Sequence, residues 1–323
     1  MYQPQEVKFM NKLFATRQIV ALKNFGQIPA AMLKAIFKFD FKRVIALIIA
    51  AFQLLGMFLL DTPVTPYKSQ LDMSKFTDEP VWADEFDNGF DTTKWQGHYV
   101  YGANDTQLRD TAWWNRDQVS FTEDGCLELT VEYKEDGPKG AGYYSYGMET
   151  NPNKCYDAGY EGYEQLYGYF EISCILPKGA GINPAFWLLT DGMWADDTDG
   201  GISGAEVDIL ETNTDYDPKS PSFNSIVQTI HVDSYEEAHK WENQGEYYAD
   251  DPYNKFNTYG VEWNEEEYIF YINGVETART SFGGVCRVPL YLIISVGVDD
   301  KILSNEYVPT SMIVDYVRCY QYK

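Results

Sequence analysis

The sequence predicts an all-β fold for most of the chain, an antiparallel β-sandwich, preceded by one transmembrane helix. From about residue 80 onward, short segments of alternating apolar and polar residues are separated by Gly, Pro, Asn and Asp. This pattern is typical of antiparallel sandwiches. The sequence predicts one hairpin turn directly, because residues 269–272 are followed by Asn273-Gly274, a dipeptide that favours tight hairpin turns. The helix is predicted from an uncharged apolar run near the N-terminus.

The N-terminal part divides into three segments. Residues 1–43 are basic, and residues 44–60 contain no charged side chain, which puts the second segment at the short end of the transmembrane range. Residues 61–79, with Pro63 and Pro66, are predicted to be a linker to the domain of residues 80–323. Since basic residues precede the span, the positive-inside rule predicts a single-pass protein of the cell membrane with an extracellular C-terminal domain.

A cleaved signal peptide and a buried core helix are the competing interpretations of residues 44–60. The basic region is long for a signal peptide, and no Ala-x-Ala-like cleavage site follows Leu60. An all-β domain that begins near residue 80 offers no surface against which to bury a helix. We therefore predict an uncleaved signal anchor.

The charge of the chain excludes two classes of partner. The net charge is −24 at pH 7, and the acidic residues are concentrated after residue 70. An acidic extracellular domain is not expected to bind nucleic acid or an anionic membrane surface, whereas it suits a neutral polysaccharide. Five scattered cysteines without a Cys-x-x-Cys pair argue against a disulfide-dense scaffold. We expect a monomer that contacts the membrane only through its N-terminal helix.

Residues 206–211 carry the strongest functional signal. They read Glu-Val-Asp-Ile-Leu-Glu, and the apolar residues between the acids indicate a strand with one buried face. Strict alternation would place Glu206 and Asp208 on one face but Glu211 on the other. We therefore predict a β-bulge around residues 209–210, which adds one residue and returns Glu211 to the acidic face.

Three carboxylates on one face of a strand indicate a site where shifted pKa values are useful, since they repel each other and lose solvation. Cleavage of a glycosidic bond with retention needs two carboxyl groups about 5–5.5 Å apart. Glu206 and Glu211 could supply this pair, and Asp208 between them could hold a proton. The alternatives are a solvated acidic strand and a calcium site, although calcium sites usually lie in Gly/Asn-rich loops.

The acidic motif resembles the active-site signature of glycoside hydrolase family 16 in its bulged, laminarinase-like form, Glu-x-Asp-x-x-Glu. Other stretches are similar to that family in the same order along the chain: Trp82-Ala83-Asp84-Glu85-Phe86-Asp87, Asp124-Gly125-Cys126-Leu127-Glu128-Leu129, Pro184-Ala185-Phe186-Trp187-Leu188-Leu189, Tyr259-Gly260-Val261-Glu262-Trp263 and Val314-Asp315-Tyr316-Val317-Arg318. The resemblance implies a concanavalin-like jelly-roll β-sandwich, whose two curved sheets carry the substrate across the concave one.

The resemblance also implies a role for each site residue. Glu206 would be the nucleophile, Glu211 the acid/base and Asp208 an assisting carboxylate. His231 matches a histidine that the family places beside the nucleophile strand, so we expect it at the substrate. The surrounding residues 212–257 are polar and are expected to form cleft-lining loops and short strands.

Asp315 is the candidate metal ligand. It matches a family position that often binds calcium together with groups near Glu85 and Gly125. A structural calcium ion is therefore possible there, whereas the chemistry itself requires no cofactor.

Aromatic residues are abundant, with 8 Trp, 26 Tyr and 18 Phe, and most are expected to build strands and core. The tryptophans in apolar strand patterns are predicted to be core: Trp82, Trp95 and Trp263. Trp194, in an Asp/Gly-rich stretch before the acidic strand, is the best candidate to stack against a sugar ring. Trp187 and Trp113 are further candidates for substrate binding. Adjacent residues of a strand point opposite ways, so at most one of Trp113 and Trp114 reaches a cleft.

The leading functional hypothesis is a retaining endo-glycosidase that hydrolyses β-1,3- or mixed β-1,3/1,4-glucan by double displacement. A non-catalytic carbohydrate-binding module on the same fold is one alternative, but such a module has no reason to keep a costly acid cluster. A transglycosylase that remodels cell-wall polysaccharide is the other. It uses the same intermediate, so the sequence leaves both reactions open.

Overall fold

The structure is a computed structural model that describes residues 70–97, 106–155, 158–195, 198–212 and 225–323. Their strands are β1 (Trp82–Asp84), β2 (Gln107–Arg109), β3 (Ala112–Trp114), β4 (Val119–Phe121), β5 (Leu127–Lys134), β6 (Gly142–Ser145), β7 (Gly147–Glu149), β8 (Glu164–Gln165), β9 (Gly168–Ile175), β10 (Ile182–Leu189), β11 (Ala205–Thr212), β12 (Ser225–Val232), β13 (Lys240–Tyr248), β14 (Asn257–Trp263), β15 (Tyr268–Ile272), β16 (Val275–Thr280), β17 (Leu290–Val298) and β18 (Thr310–Tyr320). Short 3₁₀ helices cover Met73–Lys75, Arg116–Gln118, Asp191–Trp194 and Asn305–Tyr307.

These strands form two sheets. The larger has eleven described strands in the order β16-β15-β14-β9-β18-β5-β6-β3-β2, with β1 paired to β18 and β4 to β5. The smaller has seven, in the order β13-β12-β11-β10-β17-β7, with β8 paired to β17. Nearly all pairs are antiparallel, and β3 with β6 is a parallel pair. The predicted all-β sandwich is therefore confirmed.

The core lies between the two sheets and follows from alternation along the strands. In β5, Leu127, Leu129 and Val131 are fully buried, while the residues between them are partly exposed. Of the three tryptophans predicted to be core, Trp95 and Trp263 are fully buried, whereas Trp82 is only partly buried and packs against the core. All five cysteines lie among the described residues and form no disulfide. The sandwich therefore depends on apolar packing and backbone pairing.

The packed domain begins before residue 80, so the predicted linker is too long at its C-terminal end. Gln70 bridges to Val275 of β16, and Phe76 bridges to Tyr322. Phe76 is fully buried, and the ammonium group of Lys75 lies 2.8 Å from the Glu262 carboxylate. The polar, Pro-containing sequence before residue 80 does not indicate this attachment, because much of it is made by backbone bonds to distant strands, such as the bond from the Thr77 amide to the Gln321 carbonyl.

We predict that Phe76→Ala will lower the free energy of unfolding by about 3–5 kcal/mol, as expected when a buried phenylalanine leaves a cavity. Denaturant titration of the purified protein measures this change. Met73→Ala in the same segment is the matched control, because Met73 is exposed and should change stability by less than about 0.5 kcal/mol. Equal effects of the two substitutions would contradict the assignment of Phe76 to the core.

Within the described ranges, no helix has the length and apolar character to cross a membrane. The predicted basic segment at residues 1–43 and the predicted transmembrane helix at 44–60 both lie outside the described residues, and both stay predictions.

Candidate active site

A cleft of about 400 Å³ lies on the face of the smaller sheet that is turned away from the core. Strands β10, β11, β12 and β17 form its floor, and residues of β2, β3 and the segment after β12 complete its walls. Its lining comprises Leu108, Arg109, Trp114, Asn183, Ala185, Trp187, Glu206, Asp208, Glu211, His231, Tyr235, His239, Ser295, Gly297, Val298 and Asp299. All three carboxylates of the acidic motif are in this set.

Strand β11 contains the predicted bulge. On the β12 side, Asp208 pairs with Thr229 and Glu211 pairs with Val227. The two residues between Asp208 and Glu211 thus face a single residue of β12, which defines a bulge. The register against β10 shifts at the same place.

The bulge explains why all three acids share one face. Ile209 and Leu210 are consecutive, yet both are fully buried in the core cluster, which regular alternation would not allow. After this extra residue, Glu211 returns to the cleft with Glu206 and Asp208. The prediction of a bulge at residues 209–210 is therefore confirmed.

The carboxylates are held by side chains of β12 and of the segment that follows it. The hydroxyl of Tyr235 donates a hydrogen bond to Oε2 of Glu206. Nε2 of His231 lies 3.2 Å from Oδ2 of Asp208 and 3.7 Å from Oε1 of Glu206. Nδ1 of His231 lies 3.0 Å from Nε2 of His239, and the two rings are stacked. The His231 ring is thus fixed between the acids and a second histidine.

Burial raises the pKa of all three carboxyl groups. The pKa of Glu206 rises to about 8, because burial and the neighbouring Asp208 charge outweigh the opposing effects of His231 and Tyr235. The pKa of Asp208 is raised well above its usual value by burial and by the charge of Glu211. Burial also raises the pKa of Glu211, although His231 counteracts it. All three shifts favour the protonated forms near neutral pH, and Glu206, the candidate nucleophile, ionises as the pH approaches about 8.

The same groups could hold a metal ion. One ligand atom from each of Glu206, Asp208 and His231 lies within 4.8 Å of the others, and imidazole with carboxylates is a ligand set that Zn²⁺ accepts. Within the described ranges this is the one convergent group of three or more His, Cys, Asp or Glu side chains.

Asp315 lies apart from this cluster. It is exposed on β18, and its Oδ2 accepts a hydrogen bond of 3.4 Å from the Ser173 hydroxyl. The nearby Glu85 carboxylate is already bound by two nitrogens of Arg318. Ca²⁺ takes six to eight oxygen ligands, which include backbone carbonyls and waters as well as carboxylates. These two contacts do not test the predicted calcium site, so a calcium ion at Asp315 stays a prediction.

Two of the predicted substrate-binding residues line the cleft and a third lies at its edge. Trp187 and His231 are both in the lining, and Nε1 of Trp187 lies 3.3 Å from Oγ of Ser295. Trp194 is 47% exposed, and its ring is 4.7 Å from that of Tyr235. Since Tyr235 contacts Glu206, the Trp194 ring lies one side chain away from the acids.

The predicted cleft position of Trp113 is wrong, and its neighbour Trp114 takes that place. Trp114 lines the cleft, whereas Trp113 stacks on Tyr144 of β6 with ring centroids 5.4 Å apart. The rule that at most one of the two reaches the cleft is met. Which of them does so depends on how β3 pairs with β6, and this long-range register cannot be read from the local sequence.

Sequence reasoning missed Tyr235 and His239. Both follow a tight turn after β12, in which Asp233 and Ser234 adopt left-handed φ angles of 63° and 72°. The Asp233 carboxylate accepts bonds from the Gly200 amide at 2.7 Å and from Lys240 Nζ at 2.6 Å. An Asp-Ser dipeptide after a strand is a turn signal, and it could have indicated that the next residues fold back over the cleft.

The comparison with protein families gives a direct result. The sequence profile of "Glycosyl hydrolases family 16" matches residues 104–282, which is more than half of the chain. The chain belongs to glycosyl hydrolase family 16. This membership confirms the resemblance that the acidic motif and the ordered strand motifs predict.

Two relatives within family 16 show the range of similarity. The chain is 29% identical over 185 residues to endo-1,3-1,4-beta-glycanase ExsH of Rhizobium meliloti, which covers 55% of this chain and 33% of the relative. It is 24% identical over 268 residues to a beta-glucanase of Rhodothermus marinus, which covers 76% of this chain and 85% of the relative. The chain thus spans about a third of the first of these two curated relatives.

Solved structures of family 16 proteins share the fold. The crystal structure of SCLam, a non-specific endo-beta-1,3(4)-glucanase, aligns with a TM-score of 0.60 at 23% identity, covering 79% of this chain and 94% of that one. The catalytic domain of an endo-1,3-beta-glucanase from Thermotoga petrophila aligns with a TM-score of 0.56 at 25% identity, covering 78% and 99%. Both alignments agree with the two-sheet sandwich described above.

Proposed function

We propose that this chain is a retaining endo-glycosidase that hydrolyses β-1,3- or mixed β-1,3/1,4-glucan. The observation that carries the proposal is the bulge in β11, which brings Glu206, Asp208 and Glu211 to one face of a cleft. Double displacement requires two carboxyl groups that flank the scissile bond, one facing the anomeric carbon opposite the leaving oxygen and the other within reach of that oxygen.

In the first step, the Glu206 carboxylate attacks the anomeric carbon while Glu211 gives its proton to the departing glycosidic oxygen. The C–O bond to the leaving sugar breaks and a glycosyl ester on Glu206 forms. Tyr235 supports this role, because its hydrogen bond favours the ionised form of Glu206. Burial supports the role of Glu211, because it raises the pKa of that carboxyl and keeps its proton available.

In the second step, Glu211 takes a proton from water as the water oxygen attacks the anomeric carbon. The ester bond breaks, Glu206 leaves as a carboxylate, and Glu211 is protonated again. Asp208 lies between the two glutamates, and His231 is 3.2 Å from it. We assign Asp208 to the proton exchange and charge balance of the pair, because its strongly raised pKa favours the protonated form.

The substrate class is proposed from the relatives and from the cleft. The names of the two relatives above specify glucanase or 1,3-1,4-β-glycanase activity. A neutral glucan also suits an acidic domain, because it brings no negative charge to the carboxylates. Trp114 and Trp187 line the cleft but are almost completely buried, so the ring face available to a sugar is that of Trp194, which is exposed beside Tyr235.

A panel of polysaccharides tests the proposal. We expect the protein to release reducing ends from β-1,3-glucan or mixed-linkage glucan, and NMR of the first product should show the β-anomer. Agarose, carrageenan and keratan sulfate should remain intact. First appearance of the α-anomer would contradict retention, and products longer than the substrate would identify transglycosylation.

We predict that Tyr235→Phe will move the acid limb of the kcat/KM profile to higher pH by about 0.5–1 unit, the usual size of a pKa shift from a lost hydrogen bond. The bond from Tyr235 lowers the pKa of Glu206, so its loss raises that pKa and the nucleophile ionises at higher pH. The measurement is kcat/KM against pH on the best glucan. Tyr248→Phe, an exposed tyrosine of β13, should leave the profile unchanged.

We also propose that residues 44–60 anchor the domain to the cell membrane, with the cleft-bearing domain outside. The uncharged run after a basic segment supports this arrangement. The full-length protein should sediment with membranes, and protease added to intact cells should digest the domain. A variant with Leu54→Arg and Leu55→Arg should lose membrane association, because each arginine costs about 2.5–3.5 kcal/mol at the centre of a helix. Membrane association that survives both arginines would refute the anchor.

A further inference from the structure

Gln228 is a polar side chain in an apolar row. The side chains of β12 that face the core are Ile226, Gln228, Ile230 and Val232, and all four are fully buried. A buried amide costs free energy unless its donor and acceptor both find partners. A leucine or methionine would fill this position without that cost, so the partners of Gln228 indicate its role.

Both ends of the Gln228 amide are hydrogen-bonded, and the donor end binds the bulge. Nε2 donates to the carbonyl oxygen of Ile209 at 3.3 Å. Oε1 accepts from the hydroxyl of Thr277 at 2.7 Å. Ile209 of β11 has no paired residue in either neighbouring strand, β10 or β12. The amide therefore satisfies a carbonyl that the bulge has removed from the regular β-ladder.

Gln228 also marks the point where three irregularities meet. It faces the bulge of β11 on one side. On the other side, the register with β13 passes from Val227↔Glu246 to Thr229↔Asn243, so two residues of β13 face Gln228. Thr277, which donates to the Gln228 amide oxygen, has no paired residue in the register of β15 with β16. Since β16 belongs to the larger sheet, the Gln228–Thr277 bond connects the two sheets beneath the acidic motif.

We propose that Gln228 is a positioning residue that fixes the register of the β11 bulge and thereby aims Glu211 into the cleft. This inference rests on the proposed function, because it assigns Glu211 the work of an acid. If the bulge lay after Glu211, residues 206–211 would alternate regularly. Glu211 would then point to the core face of β11, because a shift of one residue reverses the face on which a side chain lies. The amide favours the present register, because in this register its donor meets the Ile209 carbonyl.

The test compares two substrates that differ in their leaving group. A variant that misplaces the acid should be slow only on the substrate whose leaving group needs a proton, whereas a general structural defect should slow both. Glycosylation of Glu206 by a glucan oligosaccharide needs a proton from Glu211, whereas the dinitrophenyl glycoside of the same oligosaccharide leaves without one. We expect Gln228→Met in the full-length protein to lower kcat/KM on the oligosaccharide by about 10- to 100-fold, the range that a misplaced catalytic group costs. On the dinitrophenyl glycoside, kcat/KM should change by less than about twofold by the same reasoning.

Two further variants serve as rescue and control. Gln228→Glu is neutral when buried and keeps one donor and one acceptor, so it should recover most of the activity on the oligosaccharide. Ile230→Val shortens a buried neighbour in the same row. It should lower thermal stability without changing the ratio of the two kcat/KM values. Equal losses on both substrates in Gln228→Met, with a native circular dichroism spectrum, would overturn the proposal.

Failure of the proposed function has a different signature. In that case the wild-type protein itself would not cleave either substrate. A crystal structure of Gln228→Met then decides the positioning claim alone. Displacement of the Glu211 carboxylate from the cleft supports the claim, and an unchanged register between Asp208 and Glu211 overturns it.

Discussion

Glu206→Gln is expected to abolish hydrolysis, with a loss in kcat of at least about 10⁴-fold, as found when an enzyme loses its nucleophile. The amide has nearly the shape of a protonated carboxyl group but cannot form the ester intermediate. Substrate contacts do not depend on that ester, so the dissociation constant for a glucan oligosaccharide should change little. Reducing-end release and isothermal titration calorimetry measure the two quantities.

The stability of the Glu206→Gln variant distinguishes loss of chemistry from loss of fold. The folded-state pKa of Glu206 is raised to about 8, so the stability it contributes is present below its ordinary pKa and is lost as pH rises through 8. Glutamine never ionises, so the variant should be more stable than the wild type above pH 8 and similar to it in acid. Glu242→Gln, an exposed substitution on β13, is the activity control. Residual activity above 10% in the Glu206 variant would remove the proposed nucleophile.

Glu211→Ala is expected to lower kcat on glucan by about 10²–10⁴-fold, the usual contribution of a general acid–base group. Added azide should restore turnover of a dinitrophenyl glycoside, because azide attacks the glycosyl ester without the help of a base. The product should be a β-glycosyl azide, which retention requires and which NMR identifies.

The matched control for azide rescue is Glu206→Ala. It lacks the nucleophile, so azide would attack the substrate directly and invert the configuration to an α-glycosyl azide. A β-azide from the Glu206 variant and an α-azide from the Glu211 variant would reverse the two assignments. Absence of rescue in both variants would leave the double-displacement mechanism without support.

Much of the site could be predicted because its signal is local. Six residues contain all three acids, and the conflict between their spacing and strict alternation predicts the bulge before any coordinates are known. The core position of Trp263 is predicted for the same reason, since it belongs to the apolar pattern of one strand, β14. The sequence of a single strand is sufficient when the feature predicted, such as the bulge in β11, depends on that strand alone.

The remaining parts of the site depend on contacts between distant segments. Residues 212–257 are expected to form cleft-lining loops and short strands, yet Ser225–Val232 and Lys240–Tyr248 within them form the long strands β12 and β13. Their exposed face needs no apolar residues, because it borders the cleft and solvent. The cleft position falls to Trp114 and not to Trp113 for a similar reason, since β3 pairs with residues of β6 that lie 31 positions further along the chain.

The bulge has a consequence for how this active site can change. Removing one of the two residues between Asp208 and Glu211 would leave the pattern Glu-x-Asp-x-Glu, which alternates regularly and keeps all three acids on the cleft face. A single-codon deletion would thus remove the bulge and still keep the three acids of β11 on the cleft face. The carbonyl that Gln228 now binds would be lost in that step, so the deletion and a change to an apolar side chain at position 228 should accompany each other in descendants of this sequence.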